Sequence, residues 1–102
     1  MGVTEGIKTV HVQRGFRIRG RVQGVFFRAW TVETGSEVGV SGIVRNRRDG
    51  TVEAHVKGAK DAVDDFAHRL WGGPPAALVE GVEEVESSVA LPDEGIEILP
   101  TM

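Results

Sequence analysis

From Phe16 onward apolar and polar positions alternate: Phe16, Ile18, Gly20 and Val22 point one way and Arg17, Arg19 and Arg21 the other, which predicts a half-buried strand. Gln23-Gly24-Val25 breaks the alternation, so a loop follows. Residues 28 to 39 fit a helix, with Thr31, Gly35 and Val38 at i, i+4 and i+7 and Trp30 and Val32 at the margins of that face. A mid-helix Gly35 costs about 1 kcal/mol relative to alanine, so this helix depends on tertiary packing, and Gly39 supplies its stop. Gly42 to Arg47 and Thr51 to Lys57 read as two strands joined through Arg48-Asp49-Gly50, where Asp-Gly is a hairpin signal. In the second of them Val52, Ala54 and Val56 are expected to face the core, with Glu53, His55 and Lys57 in water, and Gly58 is expected to end it. Ala59, Ala62, Val63, Phe66 and Leu70 then form the best helical stripe in the chain. Asp61, Asp64 and Asp65 lie early in that helix and Arg69 late, the favourable sense for the helix dipole, and Trp71-Gly72-Gly73-Pro74-Pro75 closes it. Val79 to Val89 is strand-like, and Ile96 to Leu99 makes a last short strand after a turn at Pro92-Asp93-Glu94-Gly95.

Strand, helix, strand, strand, helix, strand, short strand is the split βαβ order. It predicts an α+β sandwich with two helices on one face of a mostly antiparallel sheet. Residues 1 to 13 lack clean periodicity and read as an N-terminal tail in which Val10 and Val12 could start a strand; residues 14 to 102 form the domain.

Composition narrows the chemistry. The 102 residues contain no cysteine, which excludes a disulfide framework, a thiolate metal site and a cysteine nucleophile. No run reaches the roughly 18 apolar residues of a membrane helix, and the first fifteen residues have no apolar signal core, so the expected location is cytoplasmic. The net charge of −3 is unevenly divided. Residues 14 to 48 carry eight Arg against two Glu, whereas residues 49 to 102 carry three cations against twelve carboxylates. The excess positive charge therefore sits in one third of the chain.

Few groups could carry catalysis. His11, His55 and His68 are far apart without metal-ligand spacing, and we expect all three to be solvated surface residues; no metal site is expected. Gly15 to Gly20 has the glycine spacing of a phosphate loop, but Arg21 and Val22 stand where Lys and Ser or Thr are needed, and the segment is a strand. The loop Gln23 to Arg28 differs because it follows a strand and opens a helix. Successive amides at a helix N-terminus, with Gly24 letting the chain curl, can make an anion nest to which Arg28 adds a permanently charged clamp. Geometry alone equally allows a tight turn with a surface arginine.

The run Ile18-Arg19-Gly20-Arg21-Val22-Gln23-Gly24-Val25-Phe26-Phe27-Arg28 resembles the first signature of acylphosphatases. Gly42-Ile43-Val44-Arg45-Asn46, followed by Gly50, Val52 and Gly58, resembles their second. The resemblance covers about residues 14 to 99 and implies a ferredoxin-like fold, in agreement with the element order above. It further implies hydrolysis of a small-molecule acyl phosphate to a carboxylate and inorganic phosphate, the latter both product and inhibitor. By that resemblance Arg28 binds the phosphoryl group within the amides of Gln23, Gly24, Val25, Phe26, Phe27 and Arg28, and Asn46 positions the attacking water. No cofactor, metal, nucleic acid or membrane is implied, and a monomer is expected.

The chain departs from the family pattern at Ile43, where an aromatic is usual, at Gly35, where alanine is usual, and in its longer tail. Phe26 and Phe27 could shield a bound anion, although at least one is expected in the core, and Trp30 and Trp71 are expected to pack at helix edges. Two alternatives stand beside this reading. An RNA-binding module would use the same sandwich, but Arg17 and Ile18 follow Phe16 where its signature needs a small residue and a stacking aromatic, and the chain has no Tyr. A domain of a larger carbamoyl-transfer enzyme would share the arginine loop, and the lack of a zinc-finger segment within the 102 residues speaks against it.

Overall fold

In the computed structural model, which describes residues 10–102, the elements are β1 (His11–Arg21), α1 (Phe27–Val38), β2 (Ser41–Asn46), β3 (Val52–Ala59), α2 (Lys60–Leu70), β4 (Leu78–Val85) and β5 (Ile96–Ile98). The strands form one sheet in the order β4-β1-β3-β2-β5, antiparallel except for the β2·β5 pair. The split βαβ sandwich with both helices on one face is as the alternation predicts. β1 begins at His11, earlier than the alternation suggests: His11, Val12 and Gln13, read as tail, pair with Ala59, Gly58 and Lys57. Residues 1 to 9 of the expected tail lie outside the described residues.

The core lies between sheet and helices. Phe16, Ile18, Val44, Val52, Ala54 and Val56 rise from the sheet to meet Phe27 of α1 and Val63, Phe66 and Leu70 of α2. The α2 stripe is the predicted one from Ala62 onward, whereas Ala59, expected to begin it, is the last residue of β3, which runs past Gly58 to pair with His11; at roughly 1.5–3 kcal/mol for each large buried side chain, Val63, Phe66 and Leu70 anchor the helix firmly. By contrast α1 buries Phe27, Thr31, Thr34 and Gly35, a poor apolar face. Its threonine is made tolerable locally: the Thr31 hydroxyl donates to the Phe27 carbonyl at 2.9 Å. Gly35 has a specific reason. A methyl there would occupy the space of the Ile96 side chain, so the missing alanine lets α1 settle directly on β5. Ile43, the other departure, is buried, so that position is still filled by an apolar side chain.

The expectation that Glu53 and His55 face water is overturned, and with it the assignment of His55 as a solvated histidine. Both lie on the sheet face away from the helices, as alternation requires, but Glu53 is 9% and His55 4% exposed. Strand β4 stops at Val85 instead of running to Val89, and Ser87 instead reaches the open face of the sheet. Gln13 donates to the Ser87 hydroxyl and to the Val89 carbonyl, Ser87 meets His55 Nδ1 at 2.6 Å, and His55 Nε2 meets Glu53 at 2.7 Å. Arg45 and Arg47 complete the set by donating to the same carboxylate at 3.3 and 2.8 Å. A buried polar cluster is costly unless its members are paired, and the mutual pairing of these groups is what lets them be buried, with only Arg47 Nε among their buried atoms left without a hydrogen bond. His11 and His68 are exposed, as expected.

Burial alone would raise the Glu53 pKa, but the hydrogen bonds from His55, Arg47 and Arg45 outweigh it and hold the pKa down at about 2, from 4.5. A carboxylate with a depressed folded pKa stabilises above its unfolded value and loses that contribution as pH falls through the folded one. A shift of this size corresponds to roughly 3 kcal/mol. The Glu53→Gln variant should therefore be less stable than the parent by about that amount at pH 7, with the gap closing between pH 4.5 and 2. Urea denaturation across that range measures it, and a gap independent of pH would contradict the assignment.

Candidate active site

Ile18 of β1 and Asn46 of β2 both pair with Val52 of the intervening β3. The loop that leaves β1 and the end of β2 consequently emerge at the same end of the sheet. The polypeptide between β1 and α1 turns through two left-handed residues, Gly24 with φ 75° and Phe26 with φ 64°. A methyl at Gly24 would meet nothing within 4 Å, so the requirement for glycine there is conformational and not steric. Phe26 is the backbone cap of α1 and gives it no side-chain hydrogen bond. Among the described residues no protein group accepts from the amides of Gly24 to Arg28, which stay available at the positive end of the helix.

Arg28 is half-buried in the first turn of α1 and, among the described residues, has neither an ion pair nor a protein hydrogen bond. Several other cations are bound up, Arg14 with Asp64 and Glu84, Lys57 with Asp93, Lys60 with Asp64 and Arg69 with Glu37 and Asp65, and of the described arginines without an ion pair only Arg28 lines the cleft that it shares with Asn46. An arginine held close to buried surface without a carboxylate is equipped to receive an anion from solution. Asn46, also half-buried, shares the helix-facing side of β2 with Val44, since the two pair with Val52 and Ala54 of the core. Its neighbours Arg45 and Arg47 are turned to the other face and tied to Glu53, which fixes the direction of Asn46 between them.

Arg28 and Asn46 line one cleft of about 370 Å³ together with Val22, Gly24, Phe26, Phe27, Ala29 and Ile98. Of the six loop residues expected to cradle an anion, Gly24, Phe26, Phe27 and Arg28 reach this cleft, while Gln23 and Val25 do not. The Gln23 side chain turns away and donates to the carbonyls of Arg47 at 2.7 Å and Thr51 at 2.8 Å. It thereby ties the loop carrying Arg28 to the hairpin carrying Asn46. Val25 packs against the core. Of the two phenylalanines, Phe27 is buried and in edge contact with Trp30 at 5.3 Å between ring centroids, and Phe26 is 83% exposed. Trp71, expected at a helix edge, is the C-terminal cap of α2 and stays half in solvent.

Ile98 is the member that sequence reasoning missed. It lies on β5, far along the chain from both motifs, and only the parallel pairing of β5 with β2 brings it to the cleft. A larger cavity of about 870 Å³ lies where Gln13, Gly39, Lys57 and Gly95 meet. It contains neither Arg28 nor Asn46, and the one strong cation among its described lining residues, Lys57, is already paired with Asp93. Among the described residues no three His, Asp or Glu side chains are grouped so as to hold a metal ion, and no helix is long and apolar enough to cross a membrane.

The profile of the family named Acylphosphatase matches residues 14–98, which spans both signatures and the whole cleft. The chain belongs to the acylphosphatase family. It is 42% identical over 91 residues to an acylphosphatase of Rhizorhabdus wittichii, covering 89% of this chain and 91% of that one. An acylphosphatase of Nitrobacter hamburgensis is 55% identical over 73 residues, 72% of this chain and 74% of the relative. The crystal structure of the Bacillus subtilis acylphosphatase superimposes with a TM-score of 0.78 at 29% identity, covering 88% of this chain and 99% of that one. The chain is thus a hydrolase of small acyl phosphates, built on the ferredoxin-like fold of that family.

Proposed function

We propose that Arg28 and the loop amides hold the phosphoryl group of the acyl phosphate that this acylphosphatase hydrolyses, and that Asn46 orients the water that attacks it. The observation carrying the proposal is the convergence on one cleft of an arginine and helix-terminal amides that are unpartnered among the described residues and a half-buried asparagine on the helix-facing side of β2. The reaction needs little more. Water attacks phosphorus while the bond from phosphorus to the acyl oxygen breaks, and the leaving carboxylate is so weakly basic that no general acid must protonate it. Asparagine does not accept a proton at neutral pH, so Asn46 positions the water, and a phosphoryl oxygen of the substrate takes the proton. Charge that builds on the equatorial oxygens is met by the Arg28 guanidinium and by amides already aimed at it, without reorganisation. In this reading no metal or cofactor takes part, inorganic phosphate competes for the same cradle, and the enzyme works as a cytoplasmic monomer.

The RNA-binding alternative loses its surface in this fold. Phe16, the aromatic it would need on the open sheet face, is a core residue packed against Phe66, and the open face holds the Glu53–His55 cluster. The decisive experiment is hydrolysis of acetyl phosphate in excess chelator. Undiminished turnover, with competitive inhibition by inorganic phosphate, is the expected result; a requirement for added Mg²⁺ would overturn the metal-free mechanism.

A further inference from the structure

The polar cluster on the open face of the sheet contains a run of groups that phosphoryl transfer does not use. Glu53, its pKa held at about 2, can only accept a hydrogen bond at neutral pH, so the proton of the neutral His55 ring sits on Nε2, 2.7 Å from the carboxylate. Nδ1 of that ring is then an acceptor, and it stands 2.6 Å from the Ser87 hydroxyl. Gln13 donates its amide to the same hydroxyl at 3.0 Å, which leaves the Ser87 proton for Nδ1. The place of the ring is built into β1: a methyl at Gly15 would lie 2.7 Å from Nδ1, so it is the glycine that admits the imidazole. Glu53 and His55 are buried, whereas Ser87, at the outer end of the run, is only half-buried.

We propose that Ser87, His55 and Glu53 form a second hydrolytic site, a serine nucleophile with its base and an orienting carboxylate, which acts on small carboxylic esters through an acyl-serine. The site is independent of the phosphoryl cleft, because Asn46 and α1 lie on the helix side of the sheet and the triad on the other. Ser87 Oγ bonds to the ester carbonyl carbon while its proton passes to Nδ1 and the carbonyl π pair moves to oxygen; Glu53 stabilises the imidazolium. Among the described residues the amides of Ser87 and Ser88 donate to no protein group and are free to meet that oxygen. The carbonyl re-forms and expels the alcohol oxygen, which takes the proton from Nδ1. Water then attacks the acyl-serine by the same route, releasing the carboxylate and returning a proton to Ser87. The ring is turned end for end relative to serine triads in which Nε2 serves the serine, but the proton path is the same. Val89, exposed and held through its carbonyl by Gln13, offers apolar surface near Ser87 for a short acyl chain.

The test uses p-nitrophenyl acetate and the full chain, with peptide mass spectrometry to locate the acyl group. The parent should release nitrophenolate in a burst stoichiometric with the chain and carry the acetyl group on Ser87. Ser87→Ala should lower the release by about 10²-fold or more while hydrolysing acetyl phosphate at the parental rate. Arg28→Ala should keep the ester activity. His55→Gln retains hydrogen-bonding capacity but cannot take the proton, and should leave Ser87 unacetylated. A parental ester rate in Ser87→Ala, an acetyl group found only on other side chains, or loss of ester turnover in Arg28→Ala would each overturn the site. Should His55→Gln prove unfolded in urea titration, the Ser87→Ala rate and the position of the acetyl group decide.

Discussion

Replacing Arg28 with alanine should lower kcat/KM for acetyl phosphate by about 10³-fold or more and abolish inhibition by inorganic phosphate, with the urea midpoint unchanged. The first part follows from the work assigned to the guanidinium. Among the described residues it is the one permanent cation lining the cleft, and its five donors match the geometry of a phosphoryl group bidentately. Arginines that meet developing phosphoryl charge are worth about 10³–10⁵ in rate. The third part follows from what Arg28 does not touch. Among the described residues it makes no ion pair, so its removal leaves no buried partner uncompensated. Arg28→Lys should recover little, because an ammonium supplies the charge without the fork. Steady-state kinetics and phosphate inhibition measure the first two effects, and parental activity in Arg28→Ala would remove Arg28 from the site. The same substitution at Arg14 would behave oppositely. That side chain bridges Asp64 of α2 and Glu84 of β4, which hold its guanidinium above its ordinary pKa, and its loss would act on the fold rather than on turnover.

That contrast marks where sequence reading succeeds and where it stops. Alternation in β1 and β3 and the α2 stripe were legible because burial on one face imposes a period on the chain. Arg28 and Asn46 could be named because each lies in a short contiguous run that resembles a family signature; local geometry alone left Arg28 open to being a surface arginine and Asn46 a turn residue before Asp-Gly. Their meeting in one cleft is not local. It depends on both strands pairing with Val52 across β3. The same limit hid Ile98, which enters through a parallel β2·β5 pair, and it hid the burial of His55. Alternation correctly assigns His55 to the face away from the helices, yet whether that face is wet depends on Gln13 and Ser87 reaching it from elsewhere in the chain. Gln23 shows a finer version of the problem. Its position in the loop suggested an amide cradle, whereas its side chain is a strut between loop and hairpin.

The Asn46→Ala variant should separate positioning from binding. We expect kcat for acetyl phosphate to fall by about 10²–10³, in the range of losing one oriented hydrogen-bonding group at a reacting centre, with inhibition by inorganic phosphate weakened no more than about threefold. The asymmetry arises because Asn46 enters the cleft from β2, across from the loop that carries Arg28. In the proposed mechanism it faces the attacking water, and the amides proposed to hold the phosphoryl group belong to a different element. Stability should be unaffected. The carbonyl of Asn46 accepts from Met102 and its strand pairs with β3 whatever side chain it carries, and the fixed directions of Arg45 and Arg47 keep the backbone in place. Asn46→Asp provides the sharper comparison. It is nearly isosteric, but it replaces the donating amide nitrogen with a second accepting oxygen and sets a negative charge beside the incoming phosphoryl oxygens. If Asn46 served as a proton acceptor, the carboxylate would preserve or raise turnover; if it orients water by hydrogen bonding, repulsion should depress both kcat and phosphate affinity. A variant pair in which alanine costs nothing would remove Asn46 from the mechanism, and one in which aspartate outperforms asparagine would replace the orienting role with general-base catalysis.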